Sequence, residues 1–193
     1  MRIFLAGATG VIGTRLVPLL IANGHEVAGL TRSPEKTELV SEMGALPVVG
    51  DVYDGDWLAE QVNDFGTELI LHELTDLPDD LAEVGAYSWN NAMVRKQGTA
   101  NLLAAARLAG VDRMLAQSVA WPLGGGPGDA VSDMEQAVLA FGGVVLRYGQ
   151  FYGPGTYHPD LPPDPPRIHI EEAARQTVAA LDAASGILLL VDS

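Results

Sequence analysis

The sequence predicts a doubly wound α/β fold, in which a parallel sheet carries helices on both faces. Apolar segments of strand length alternate with amphipathic segments of helix length along the whole chain. Strands that alternate with helices favour right-handed crossovers, and therefore a parallel sheet in three α/β/α layers. A glycine-rich junction between the first strand and the first helix is a second, independent indication of this fold class.

The composition is that of a globular protein with an acidic surface. The chain has 193 residues, enough for one domain with a sizeable core, and 48% of them are hydrophobic. The net charge of −14 argues against nucleic acid and anionic membranes as partners, because both favour a basic protein surface. Without cysteine, disulfides and thiolate metal sites are excluded. We expect a cytoplasmic protein, since no signal peptide or membrane-spanning run is apparent.

The glycine-rich junction indicates a dinucleotide-binding loop. Arg2 to Ala6 is an apolar run of strand type, and after the junction the apolar residues recur at helical spacing. We expect Gly7 to turn the chain off the strand, Gly10 to admit a pyrophosphate, and Gly13 to allow close helix packing. The free N–H groups and the dipole of the new helix would face the phosphates. The alternative is a glycine-rich turn without a ligand.

The rest of the chain continues the alternation. The pattern predicts strands over 25–30, 45–50, 68–72, 113–117, 144–148 and 187–191. Helices are predicted to begin at Ser33–Pro34 and near Trp57, and to cover 92–109, 134–141 and 171–184. The stretches 122–128 and 153–166 are rich in proline or glycine, and we predict loops there.

Seven motifs occur in a characteristic order. They are Gly7-Ala8-Thr9-Gly10-Val11-Ile12-Gly13, Gly50-Asp51-Val52, Leu69-Ile70-Leu71-His72, Asn91-x-x-x-Arg95-x-x-Gly98-Thr99, Gln117-Ser118, the segment 146–155 and the segment 169–174. Together they resemble the short-chain dehydrogenase/reductase superfamily, and most closely its extended or atypical NAD-dependent epimerase/dehydratase-like branch. The resemblance implies one Rossmann-like NAD(P)-binding domain over 1–193, with a cofactor-binding core at 1–155 and a reduced C-terminal portion at 156–193.

The resemblance also implies cofactor contacts for individual residues. Residues 8–12 would wrap the pyrophosphate, while Asp51 and Val52 would lie beside the adenine. For Asp51, a turn-forming role after the third strand is the alternative. His72 and Leu74 would line the cofactor at the end of the fourth strand. Four residues are expected to organise the long helix and its packing and not to act on a substrate: Asn91, Arg95, Gly98 and Thr99.

The end of the second strand favours NADP over NAD as the cofactor. An acidic residue at this place would hold the ribose 2′-hydroxyl and repel a 2′-phosphate. The chain has Thr31-Arg32-Ser33 instead, with Lys36 nearby. The Arg32 guanidinium can bind a phosphate and stack on the adenine. A solvated surface arginine is the alternative, and NAD remains possible.

The catalytic residues of the family are only partly present. The resemblance implies a serine that polarises a carbonyl, and a tyrosine and a lysine that transfer the proton. Ser118 matches the serine, although a strand-end serine without chemistry is an alternative. No tyrosine or lysine lies between Ser118 and Arg147. The remaining ionisable candidates nearby are Asp133, Glu135, Tyr148, Tyr152 and His158, of which we expect both tyrosines to be structural.

The leading functional prediction is an oxidoreductase or epimerase/dehydratase-like enzyme that acts on a small carbonyl or hydroxyl compound with NADP. The alternative is a redox-inert NAD(P)-binding sensor, because the proton-transfer pair is missing. A nucleotide-sugar epimerase is less favoured, since the contracted C-terminal portion leaves few residues for a sugar nucleotide. The chain is either a minimal variant of the family or lacks some of its loops. We expect no bound metal, and a homodimer is possible.

Overall fold

The computed structural model describes residues 1–78 and 80–192, in which a seven-stranded parallel sheet forms the centre. Its strands are β1 (Arg2–Ala6), β2 (Glu26–Thr31), β3 (Leu46–Val49), β4 (Leu69–His72), β5 (Met114–Val119), β6 (Val144–Tyr148) and β9 (Gly186–Leu190). Their order across the sheet is β3-β2-β1-β4-β5-β6-β9. Two short strands, β7 (Gln150–Tyr152) and β8 (Arg167–His169), form a separate parallel pair.

Helices cover both faces of the sheet. They are α1 (Gly13–Ala22), α2 (Thr37–Glu42), α3 (Gly55–Asp64), α4 (Ser88–Met93), α5 (Thr99–Leu108), α6 (Gly125–Phe141) and α7 (Ile170–Ala179). Helices α1, α2 and α7 contribute to the core on one face, and α3, α5 and α6 to the core on the other. The predicted doubly wound, three-layer fold is therefore confirmed.

The two cores follow from the alternation of side chains along each strand. In β1, Ile3 and Leu5 belong to the core under α1 and α7, whereas Phe4 and Ala6 belong to the core under α3 and α5. All four are fully buried. A strand buried on both faces reads as a continuous apolar run, which is how β1 appears in the sequence.

The long helix predicted over 92–109 has a different form. The helical stretch begins at Ser88 and consists of α4, a π-helical segment at Val94–Gly98, and α5. A π-helical turn widens the helix locally and often marks a functional site. Periodicity alone does not detect it, because the apolar pattern on either side is that of an ordinary α-helix.

The predicted loop at 122–128 and the short helix at 134–141 need correction. Helix α6 begins at Gly125 and runs without a break to Phe141. Pro127 lies in the first turn of α6, where a backbone N–H has no intrahelical acceptor, so proline is tolerated there. The loop predicted over 153–166 is observed as turns and bends.

The ends of several other elements differ by a few residues. Strand β5 extends to Val119, so that Ser118 lies within the strand, and α7 ends at Ala179 instead of Ala184. No helix within 1–78 and 80–192 has the length and apolar character needed to cross a membrane.

Candidate cofactor and substrate site

The strand order places a crevice at the carboxyl end of β1. Strand β1 is flanked by β2 on one side and by β4 on the other, and successive connections run to opposite sides of this point. Open parallel sheets bind ligands at such a switch point. The residues that follow β1, β2 and β4 therefore decide what the crevice can hold.

At two of the three glycines in the loop after β1, Gly7 and Gly13, the surrounding backbone leaves no room for a side chain. Gly7 has a φ of 102°, and a Cβ there would lie 2.7 Å from the carbonyl oxygen of Glu73. A Cβ at Gly13 would lie 2.1 Å from the carbonyl oxygen of Gly7. A Cβ at Gly10 would have only that same oxygen nearby, at 3.4 Å. Gly13 thus packs against the loop itself, while Gly10 leaves an open place above it.

The start of α1 offers unpaired donors to this open place. Among the described residues, no backbone carbonyl accepts the N–H groups of Val11 and Ile12. The hydroxyls of Thr9 and Thr31 lie 3.3 Å apart and join the loop to the end of β2. Free N–H groups at a helix N-terminus, beside a position with room for a ligand, fit a pyrophosphate. Ala8 is fully buried beneath the loop.

Arg32 forms an ion pair across the crevice. Its Nη2 lies 3.0 Å from Oδ1 of Asp76, which follows β4. The side chain of Arg32 is 54% exposed and that of Asp76 is 19% exposed. The backbone N–H of Asp76 donates to Asn91 Oδ1 at 3.1 Å, which fixes the loop to α4. Since β2 and β4 lie on opposite sides of β1, this pair joins the two walls of the crevice.

Asp51 and Val52 lie after β3, as the resemblance implied, but both are engaged locally. Asp51 Oδ1 accepts the backbone N–H of Tyr53 at 3.0 Å, which is a turn-forming contact. The side chain of Val52 is buried in the core, where Gly98 packs against it. The Val52 carbonyl accepts Nδ2 of Asn101 at 2.9 Å.

His72 ends β4 as predicted, with its ring buried rather than open to the crevice. Its Nε2 lies 2.9 Å from Oγ1 of Thr99, and its Nδ1 lies 3.4 Å from the backbone N of Leu74. Burial and the nearby charge of Arg95 lower the pKa of His72 to about 4. The imidazole is therefore neutral at neutral pH, and it fastens β4 to α5.

Glu73 is a buried acid that sequence reasoning did not single out. Tyr148 Oη donates to Glu73 Oε1 at 3.2 Å and lies 2.6 Å from Thr177 Oγ1. Thr177 Oγ1 donates in turn to the carbonyl of Ala173 at 2.7 Å. Burial raises the pKa of Glu73 to about 8, which agrees with a neutral acid at pH 7. Glu73 Oε2 is buried without a partner.

Ser118 and Glu135 are buried and form a second polar group with the partly exposed Arg147. The Ser118 hydroxyl donates to Glu135 Oε1 at 2.5 Å, and Arg147 donates to both oxygens of Glu135 at 2.9 and 2.6 Å. Burial acts to raise the pKa of Glu135, but these hydrogen bonds outweigh it and lower the pKa below its usual value. Ser118 is fully buried, and its proton points to Glu135 instead of a substrate. This favours its strand-end alternative.

The other ionisable candidates lie apart from this group. Asp133 forms an exposed ion pair with Lys96 at 3.0 Å, and Tyr152 donates to Asp192 at 2.8 Å. Tyr148 is fully buried, and burial raises its pKa well above the usual value. The backbone N–H of His158 donates to the Thr156 hydroxyl at 3.1 Å. Helix α6 contains neither tyrosine nor lysine.

The segment after β7 spans the crevice from outside. Arg15, in the first turn of α1, donates to the carbonyl of Pro154 at 2.5 Å and pairs with Glu171 at 3.2 Å. Tyr157 donates to the carbonyl of Pro78, in the loop after β4. The segment thus contacts the elements on both sides of the glycine loop.

Comparison with known proteins identifies the class to which this arrangement belongs. Residues 7–138 match the family described as NAD(P)H-binding. This match covers more than half of the chain and includes the glycine loop, Arg32, Arg95, Ser118 and Glu135. The chain therefore belongs to the NAD(P)H-binding family, as the resemblance implied.

Particular relatives include enzymes of several activities. The chain is 37% identical over 183 residues to the 3-diazoavenalumate denitrifying reductase of a Streptomyces species, covering 81% of this chain and 58% of that protein. It is 31% identical over 114 residues to the 3-beta-hydroxysteroid dehydrogenase of Mycolicibacterium neoaurum, covering 59% and 31% of the two chains. The chain thus spans under two thirds of the length of these relatives.

The fold is shared with solved structures of lower sequence similarity. The UDP-glucose 4-epimerase of Thermus thermophilus, in complex with NAD, superposes with a TM-score of 0.81 at 20% identity. The match covers 99% of this chain and 78% of that one. At this identity the likeness establishes the common fold.

Proposed function

We propose that the chain binds NADP(H) at the carboxyl ends of β1, β2 and β4 and reduces a small carbonyl or related electrophilic compound. The glycine loop carries this proposal. Gly7 and Gly13 allow its close backbone contacts, and Gly10 leaves room for a ligand beside the free N–H groups that follow it. Membership of the NAD(P)H-binding family and 37% identity to a reductase support it.

The residues of the chain have separate tasks in such a reaction. Bound NADPH would supply a hydride to the electrophilic atom, and a proton would complete the reduction and leave NADP⁺. The glycine loop would hold the pyrophosphate, and the backbone near Asp51 and Val52 would flank the adenine. The backbone between His72 and Leu74 would border the nicotinamide. We assign Ser118 to holding Glu135 in place, and we expect water to provide the proton.

Arg32 is proposed to select NADP. Its guanidinium stands at the end of β2, where a ribose 2′-phosphate would be held, and its present partner is the carboxylate of Asp76. An exposed ion pair contributes between about 0 and 1 kcal/mol, so a phosphate can displace Asp76 at small cost. The carboxylate of Asp76 would remain nearby and weaken the preference.

The proposal is tested by calorimetric titration of the protein with NADPH and, separately, with NADH. We expect saturable binding of both, with NADPH the tighter. A screen of small carbonyl compounds, followed through NADPH oxidation at saturating cofactor, then tests turnover. Absence of binding by either cofactor would remove the proposal altogether.

A redox-inert sensor is the second candidate function. Two observations favour it: α6 lacks the tyrosine and lysine that transfer the proton in the family, and the proton of Ser118 is committed to Glu135. This candidate predicts cofactor binding without turnover of any substrate, and any steady-state NADPH oxidation rules it out. The expected cytoplasmic location and homodimer are separate proposals, tested by fractionation and by sedimentation.

A further inference from the structure

Arg95 lies at the carboxyl edge of the sheet, on the side away from the glycine loop's helix. It belongs to the π-helical segment and precedes Thr99 by four residues, so the two residues share one face of the helix. Thr99 contacts His72 at the end of β4. A crossover helix runs antiparallel to its strands, so Arg95 lies one turn beyond the end of β4.

Arg95 is a largely buried residue whose guanidinium has no direct partner among the described residues. The residue is 7% exposed, and within the described ranges no carboxylate lies at ion-pair distance and no hydrogen bond reaches it. In the described part of the chain, the polar side-chain atoms that lack both solvent contact and a hydrogen bond belong to Glu73 and Arg113, not to Arg95. The nitrogens of Arg95 therefore keep contact with solvent. These nitrogens make no hydrogen bond or ion pair, so they are available to an anionic group from outside.

The charge of Glu135 acts on Arg95 from a distance, but none of the neighbouring polar residues forms a hydrogen bond or ion pair with it in the part of the chain that the structure describes. Glu135 is the nearby acid, but both of its oxygens are bonded to Arg147, and one also accepts from Ser118. That group carries no net formal charge, and His72 is neutral at pH 7. Arg95 therefore adds one positive charge beyond the end of β4, in a chain whose net charge is −14.

We propose that Arg95 binds a carboxylate group of the substrate through charge-assisted hydrogen bonds. Carboxylates fit the fork of donors that a guanidinium presents, and such bonds are about twice as strong as neutral ones. The site lies beyond β4 and beside α6, whereas the proposed pyrophosphate site lies at the start of α1. This inference rests on the proposed function and adds the substrate class, an organic carboxylate, to it.

Benzoate and benzamide test the proposal, because they have the same shape and differ in charge. Their affinities are measured by calorimetry with the full chain, with and without saturating NADP⁺. On the wild-type protein we expect benzoate to bind at least about tenfold more tightly than benzamide. In Arg95→Gln this difference disappears, and in Arg95→Lys part of it returns. Lys96 is the exposed neighbour of Arg95, and Lys96→Gln serves as the control. We expect it to leave the difference between benzoate and benzamide affinity unchanged.

Three results would overturn the proposal: equal affinity for benzoate and benzamide on the wild-type protein, an unchanged difference in Arg95→Gln, or loss of NADPH affinity in Arg95→Gln. The last result would assign Arg95 to the cofactor. Thermal unfolding of each variant establishes that it is folded, and Arg95→Met provides a second uncharged variant. Failure of the proposed function is distinguishable, since it appears as absent NADPH binding while benzoate is still measured without cofactor.

Discussion

Single side chains at the carboxyl edge of the sheet carry charges or protons whose positions matter for function. Asp76 holds Arg32 at 3.0 Å and thereby occupies the group that would receive a 2′-phosphate. Glu73 keeps its proton because burial disfavours its ionised form. Both acids follow β4 within four residues, where the chain passes the crevice.

The Asp76→Asn substitution is expected to tighten NADPH binding roughly three- to tenfold, because it frees Arg32 and removes a negative charge near the phosphate. NADH, which has no 2′-phosphate, should bind almost as before. Arg32→Asp should act in the opposite direction, weakening NADPH by about 10- to 100-fold and favouring NADH. Calorimetric titration with both cofactors measures these changes.

A matched control for this pair is Glu172→Gln, which removes another exposed ion pair, that of Glu172 with Arg175 at 2.8 Å on α7. We expect no change in either affinity. An unaltered NADPH-to-NADH ratio in Arg32→Asp would place Arg32 outside the cofactor site.

Glu73 is expected to make stability depend on pH. Its pKa is about 8 in the folded protein and near 4.5 when unfolded, so between these values the folded state holds a proton that the unfolded state has lost. Stability from this group is full below pH 4.5 and declines as the pH rises towards 8, by on the order of 1 kcal/mol per pH unit. Glu73→Gln cannot titrate and should be more stable than the wild type at pH 9.

Urea unfolding from pH 5 to 9 measures this dependence for wild type and Glu73→Gln. The exposed substitution Glu60→Gln, on α3, serves as the control and should keep the wild-type slope. A constant difference between Glu73→Gln and wild type across this range would contradict a buried neutral acid.

Among the structural elements, the unit formed by β1, the glycine loop and α1 contains one glycine required for packing and another proposed to be required for binding. Gly13 has no space for a side chain, since a Cβ there would lie 2.1 Å from the Gly7 carbonyl oxygen. Gly10 has space, and the place above it is where a pyrophosphate is proposed to bind. We therefore expect a side chain at Gly13 to affect stability and a side chain at Gly10 to affect cofactor binding.

Gly10→Ala is expected to fold normally and to bind NADPH at least about tenfold more weakly, because its methyl group would crowd the phosphates. Gly13→Ala should lower the free energy of unfolding by at least about 2 kcal/mol through overpacking. Thermal unfolding and calorimetry together separate the two effects. Gly126→Ala, at a place where a Cβ meets open space, is the control for both measurements. Wild-type affinity in Gly10→Ala would argue against a pyrophosphate at this loop.

The helix that crosses from β4 to β5 is the second element with a functional consequence. Its π-helical segment carries Arg95 and Gly98, and Thr99 follows directly as the first residue of α5. Gly98 allows Val52 to approach, and Thr99 holds His72. The segment thus fixes the wall of the crevice and presents Arg95 beyond it.

For the whole molecule, the strand order decides where chemistry can occur. The reversal of direction at β1 brings the glycine loop, the end of β2 and the loop after β4 to one edge of the sheet. Two buried polar groups, one around Glu73 and one around Glu135, lie on opposite faces near this edge. The chain spans 58% of the length of its reductase relative.

Local patterns in the amino-acid sequence were enough to predict the fold class and the glycine-rich loop of this protein. Continuous apolar runs such as β1 and amphipathic helices such as α1 are local patterns, and their alternation leaves few topologies open. The glycines at 7, 10 and 13 are likewise read locally, because the sharp turn and the close contacts they allow lie within a few residues.

Only the tertiary structure decided how distant polar residues pair. Arg32 with Asp76, Ser118 with Glu135, and Glu73 with Tyr148 join residues 17 to 75 positions apart, a separation at which no periodicity applies. Ser118 was predicted to face a substrate because its pairing with Glu135, 17 positions away, has no signal in the sequence. Whether a strand-end hydroxyl is free depends on the helix packed over it, and here α6 brings Glu135 to it.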